Sequence, residues 1–212
     1  MSWFQLDPES IAQRVRSADA PVPSAAASVI RGLIGFTIVS VAGFVPWAVF
    51  GKWFYRNIGE AGLYTLCALV FIFLSGPFMH RLILGPGSLV RFYVLFGLAF
   101  TAYSIAWIVG WMVLRGHPGS FVGLFAGALV MAAIFAAAFD AWASFVKILF
   151  ALFVLNALGY FAGGVVEGAL IRQNRLAAML SWGVCYGLGF GAGLGLAFHL
   201  CQSRARALLA PR

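Results

Sequence analysis

Two polar side chains, Asn156 and Tyr160, lie one helical turn apart near the middle of a long apolar run, and Glu167 closes that run. Polar and ionisable groups at membrane depth are costly to hold, so each is a functional candidate by default. An amide at such a position either hydrogen-bonds to a neighbouring helix or contacts a polar ligand, and Asn156 admits both readings. Glu167 precedes Arg172 by five residues, which suits an ion pair at the headgroup level. Its chemical alternative is a protonatable, cation-attracting carboxylate at an entrance.

A second set of candidates belongs to the opposite end of the apolar runs. His80 ends the second run, His199 ends the sixth, and Asp140 and Lys147 flank the turn between the fourth and fifth. Imidazoles placed there can relay protons or ligate a metal. They can equally sit in the headgroup zone, where Lys147 would keep its ammonium in water and bury its stem. The two histidines are far apart in the chain and lack ligand spacing, so no metal and no cofactor is expected. Cys67, Cys185 and Cys201 match no metal or redox pattern and read as small packing residues. No His-Glu-x-x-His, Gly-x-Ser-x-Gly or Walker-type phosphate loop occurs. The stretch Gly187-Leu188-Gly189-Phe190-Gly191-Ala192 has part of the spacing of a nucleotide-binding turn, but it falls inside an uninterrupted apolar helix.

The elements that must position these groups are membrane spans. Of the 212 residues, 63% are hydrophobic and 9% charged, with a mean hydropathy of +0.97. Soluble domains carry roughly 25% charged residues, so this chain could not keep a soluble surface. Charge-free runs cover 32–50, 61–79, 92–114, 118–139, 148–166 and 176–198. Each approaches or exceeds the ~20 residues that cross a bilayer as a helix. The expected fold is all-α: a polytopic membrane protein whose six transmembrane helices form a compact bundle with short loops. Residues 1–28 are a leader, 29–200 the membrane domain and 201–212 a basic tail. No signal peptide is expected. Within the leader, Asp7 as N-cap, Pro8 at the first helical position, and Ile11 and Val15 on one face predict a short helix. Trp3, Phe4 and Leu6 suit the headgroup region, and Pro21 and Pro23 end the segment. Turn chemistry appears at Gly85-Pro86-Gly87 and Gly116-His117-Pro118-Gly119. The short stretch from Asp140 to Lys147 predicts a tight helical hairpin, with Asp140 either in the turn or in the last turn of the helix before it.

Net charge is +8. The basic residues lie beside the apolar runs, so they face lipid headgroups and not nucleic acid. With the N-terminus inside, the cytoplasmic segments hold Arg14, Arg16, Arg31, Arg81, Arg91, Lys147, Arg204, Arg206 and Arg212. The other side holds Lys52, Arg56, Arg115, Arg172 and Arg175. Nine against five, of 14 in all, favours both termini in the cytoplasm. Trp47, Trp53, Trp107, Trp111 and Trp182 then form an outer aromatic belt. The Ala, Gly and Leu content suits a bacterial inner membrane.

The sixth run carries the clearest pattern. Gly183, Gly187, Gly191 and Gly195 recur every four residues, with Gly189 and Gly193 beside them. Residues four apart share a helix face, so they form a smooth groove that admits another backbone. Gly119, Gly123 and Gly127 make a shorter version in the fourth run, and Gly159 and Gly163 another in the fifth. Packing among the fourth, fifth and sixth spans is the plain reading; a subunit interface or a groove for a ligand or lipid chain are its rivals. Three functional classes remain. The first is a small transport or channel-type protein, or the membrane subunit of such a system, with Asn156, Tyr160 and the groove lining a site. The second is a non-catalytic scaffold or assembly factor, docking through glycine faces onto other membrane subunits or a second copy. The third is a membrane-embedded enzyme using His80, His199, Asp140 or Glu167.

Overall fold

A computed structural model describes residues 4–210, which are helical almost throughout. A leader helix α1 (Pro8–Ser17) precedes six long helices: α2 (Ala25–Asn57), α3 (Gly59–Met79), α4 (Ser88–Leu114), α5 (Gly116–Ala138), α6 (Phe145–Leu170) and α7 (Arg175–Cys201). A short α8 (Ser203–Leu209) follows. Helices α2 to α7 are long and apolar enough to cross a membrane, and the chain is an all-α polytopic bundle. An even number of spans returns the chain to the side on which it started. That side is called the terminal face below, and the opposite one the distal face.

Local chemistry sets the helix starts. Asp7 accepts the Ser10 N–H at 2.9 Å ahead of Pro8, Ser24 accepts the Ala27 N–H at 3.2 Å, and Asn174 accepts the Ala177 N–H at 3.0 Å. Each supplies an acceptor to a donor that the first turn leaves without an intrahelical partner. Gly85 and Gly87 both take left-handed φ, +84° and +67°, in the α3–α4 turn. Two reversals are one residue long, and Ile58 alone separates α2 from α3. Arg115 alone separates α4 from α5, at φ +53° with its N–H on the Trp111 carbonyl. Gly116, at φ +56°, follows and opens α5, whose first turn holds Pro118. Between α5 and α6 the chain uses a longer turn, with Asp140 at φ +50° inside it and a 3₁₀ turn at Trp142–Ser144.

Each span packs on its sequence neighbours, and α7 returns against α2, so the six helices close into a ring in chain order. Phenyl rings fill much of its centre. Phe36 of α2 meets Phe190 of α7 at 5.0 Å and Phe71 of α3 at 5.5 Å. Phe92, Phe96 and Phe100 stack down α4 at 5.1 and 5.3 Å, and Phe135 meets Phe198 at 4.9 Å. Such pairs contribute roughly 0.5–1.5 kcal/mol each beyond their burial.

Pro77 inside α3 shows how an apparent helix defect is met. Having no N–H, it leaves the carbonyl four residues back, Phe73, without its helical donor. The Tyr93 hydroxyl of α4 donates to that carbonyl at 2.8 Å. Gly76 makes room, since a methyl there would strike the Tyr93 ring.

The terminal end is tied by Gln202, which is 1% exposed. Its amide nitrogen Nε2 donates to the Leu82 and Phe198 carbonyls, both at 2.8 Å, and its Oε1 accepts the Leu84 N–H at 2.8 Å. One side chain thus joins the end of α7 to the α3–α4 connection. The leader lies on the same end: Leu6, Ile11 and Val15 are buried in the protein's own core, not left at a headgroup surface, while Trp3 lies outside the described residues. Replacing Gln202 by Leu strands the Leu84 N–H and Leu82 carbonyl, at roughly 1–3 kcal/mol for a buried unpaired group. A clear fall in the thermal midpoint in detergent is the expected result, with Ser203→Ala unchanged as the exposed control.

Candidate functional site

One cluster of buried polar groups lies in the distal half of the bundle, at the junction of α4, α5, α6 and α7. Asn156 is fully buried on α6, and its Nδ2 donates to the Tyr103 hydroxyl of α4 at 2.8 Å. The Tyr186 phenol of α7 stands near that of Tyr103 and interacts with it. Phe190 fixes both phenols from below, stacking on Tyr103 at 5.2 Å and packing against Tyr186 at 5.6 Å. The Asn156 Oδ1 is buried and accepts nothing.

One turn towards the distal face, the Tyr160 hydroxyl lies 3.3 Å from that of Ser120 on α5. Its ring sits between Trp182 of α7 at 5.5 Å and Trp107 of α4 at 6.3 Å. Gly163 leaves the space that the Trp182 ring occupies. The Trp182 Nε1 is a second buried group without a partner, a donor this time. Beyond it, half-buried Glu167 acts electrostatically on Tyr160. No ion pair joins Glu167 to Arg172, whereas Arg204 and Asp140 do form one. Steps of four, three and four residues separate Asn156, Tyr160, Gly163 and Glu167, which keeps them on one stripe of α6.

No hydrogen bond or ion pair joins the terminal-face candidates His80, His199, Asp140 and Lys147 to one another. The His80 Nδ1 pairs with the Ser88 hydroxyl at 2.9 Å. The His199 Nδ1 is buried without a partner. Asp140 is exposed in its turn and pairs with Arg204 at 2.6 Å, a contact of about 0–1 kcal/mol in water. Lys147 is exposed. Among the described residues no three His, Cys, Asp or Glu side chains form a metal-holding group. Asp140 is therefore a surface residue and not part of a polar interior, and Glu167 belongs to the other face of the bundle.

The glycine faces are filled from within the chain. The groove of α7 receives α2, the first span, a neighbour to which the glycine spacing does not point. A methyl at Gly187 would stand 2.6 Å from Thr37 Cα, one at Gly191 2.5 Å from the Gly32 carbonyl oxygen, and one at Gly195 2.8 Å from Val29 Cα. Gly183 lies under the Phe44 ring, and its carbonyl accepts the Ser40 hydroxyl at 2.7 Å. The offset glycine Gly189 meets Gly159 of α6, whose added methyl would lie 2.9 Å from Gly189 Cα. On α5, Gly123 faces the Trp107 carbonyl and Gly127 the Tyr103 ring.

Tyr103, Ser120, Trp182 and Tyr186 complete the site, and sequence reasoning misses all four as site residues. The only signal for the two tyrosines is a phenol in a charge-free run, and Trp182 reads as a belt residue. Comparison with protein-family models, with curated proteins and with solved structures finds no match to this chain.

Proposed function

We propose that this integral membrane protein is a small transport or channel-type protein whose distal half binds a small uncharged polar solute. The observation that carries this reading is the pair of unsatisfied buried groups at one helix junction, the Asn156 acceptor and the Trp182 donor. A buried unpaired polar group costs about 1–3 kcal/mol, and a molecule bearing a hydroxyl or amide offers partners to both. Charge selects the solute class. The surrounding groups are an amide, hydroxyls and an indole, with Glu167 at the outer end as the ionisable member. An ionic solute would meet no fixed counter-charge beside Asn156.

Towards the terminal face the ring is packed with Phe36, Phe92, Phe96, Phe135 and Phe198. The arrangement suits a state that receives solute from the distal side and is closed on the other. The excess of basic residues near the terminal face supports a cytoplasmic location for both termini. Docking of a partner through the glycine faces finds those faces occupied by α2, α4 and α6. Catalysis by His80, His199, Asp140 and Glu167 finds Glu167 at the other face and no hydrogen bond or ion pair among the rest.

Proteoliposomes in a stopped-flow light-scattering assay test the proposal, with glycerol and urea as probes. Solute-driven reswelling several times faster than in protein-free vesicles is the expected result. Rates no faster than those of protein-free vesicles, for both solutes, would contradict it.

A further inference from the structure

We propose that the seam between the end of α7 and α8 binds the phosphate of a phospholipid headgroup, held by Arg206 and His199. Arg206 donates through Nη1 to the Pro23 carbonyl, which anchors its guanidinium against the leader. Its Nε and Nη2 are buried and meet no acceptor, and the His199 Nδ1 is in the same condition. The guanidinium and the imidazole are close enough to interact electrostatically.

Nε and Nη2 form one edge of the guanidinium, the fork that takes two oxygens of an oxyanion in parallel. Burial pushes the Arg206 guanidinium below its ordinary pKa, and no carboxylate of a described residue acts to raise it. Two neighbouring arginines differ on this point. Arg204, two residues earlier, has Asp140 as counter-ion. Arg14 presents the same unused edge, but Asp7 stands beside it electrostatically. At Arg206 a buried cation, with two unused nitrogens of its own and one on His199, awaits an anion that no described residue provides.

Position identifies the source of that anion. His199 lies in the last turn of a membrane span and Arg206 just beyond it, the level at which lipid phosphates stand. A phosphodiester supplies oxygens for the guanidinium edge and for the imidazole N–H while its acyl chains remain along the bundle. Hydrogen bonds to charged groups contribute about 1.5–3 kcal/mol each, so the loss of the fork should be plain in binding.

The test is native mass spectrometry of the full chain, delipidated in mild detergent and then supplied with phosphatidylglycerol. The wild type should retain one lipid, and Arg206→Gln should weaken retention roughly tenfold or more. Arg206→Lys keeps the charge and a donor for Pro23 but lacks the fork, and should also retain less. Arg204→Gln should behave as wild type. A thermal scan accompanies each variant, so a loss of fold is not mistaken for a loss of binding; Arg206→Lys carries the comparison if Arg206→Gln fails to fold. Retention by both Arg206 variants equal to wild type, or no retained lipid in the wild type, overturns the proposal. So does stabilisation of the delipidated wild type by inorganic phosphate without any lipid retention, which would assign the site to a free anion.

Discussion

Gly191→Ala is expected to destabilise the bundle by about 1–3 kcal/mol, the usual penalty for forcing volume into a packed core. One methyl is enough because its neighbours are rigid. It would lie 2.5 Å from the Gly32 carbonyl oxygen and 2.9 Å from Phe36 Cβ, and neither can swing aside as a side-chain tip would. Helices α2 and α7 would have to separate, and close approach is what gives helix association its dispersion energy where lipid offers no hydrophobic drive. Gly187→Ala should act alike, with Thr37 Cα at 2.6 Å, and leucine at either position should prevent folding. The controls are built into the chain. A methyl at Gly164 or Gly168 meets nothing within 4 Å, so alanine there should be neutral or gain up to ~1 kcal/mol of helix propensity. Thermal unfolding in detergent ranks the four alanine variants. Equal midpoints for Gly191→Ala and Gly164→Ala would show that the α2–α7 contact is not a close one.

Asn156→Leu should separate stability from activity. Leucine has the same branching and is somewhat larger, so no cavity opens. The substitution removes one interhelical hydrogen bond, worth ~0.6 kcal/mol on average inside a membrane protein. It also removes a buried acceptor that bonds to nothing, a cost of about 1–3 kcal/mol. Tyr103 keeps its interaction with the Tyr186 phenol. Relief of the stranded acceptor outweighs the lost bond, and the variant should be as stable as wild type or more so by about 1 kcal/mol. Solute flux, in contrast, should fall to the level of protein-free vesicles. A residue that merely holds α4 to α6 would give the opposite pair: lower stability and unchanged flux.

Much of the architecture was legible in the sequence because membrane spans write themselves into composition. The six charge-free runs, the Asp7-Pro8 helix start and the Gly85-Pro86-Gly87 turn each rest on local chemistry, and local chemistry survives in the fold. The partner of the α7 groove did not follow. Glycine spacing shows that a face is smooth, but it carries no information about which backbone will occupy it. Nor did the backbone of the α4–α5 turn, since Arg115 adopts a left-handed φ that residue type alone would assign to glycine. The site shows the same division. Asn156 and Tyr160 stand out as polar groups in an apolar run, whereas Tyr103, Trp182 and Tyr186 join them only through the ring closure of α4, α6 and α7. Asp140 falls near two histidines in expected depth, yet its turn directs it to solvent and to Arg204.

The proposed function requires a polar distal half that opens to the distal face above an aromatic seal. Cysteine accessibility is the sharpest probe of that arrangement, in a background with Cys67, Cys185 and Cys201 replaced by alanine. Single cysteines at Tyr160, Asn156 and Phe198 would be exposed in sealed vesicles to a membrane-impermeant thiol reagent, applied from one face and then the other. Fast labelling of Tyr160→Cys and slower labelling of Asn156→Cys are expected, both from the distal face alone. Phe198→Cys should stay unlabelled from either side. A cysteine at Tyr160 as inert as the one at Phe198 would mean that no polar entrance exists there.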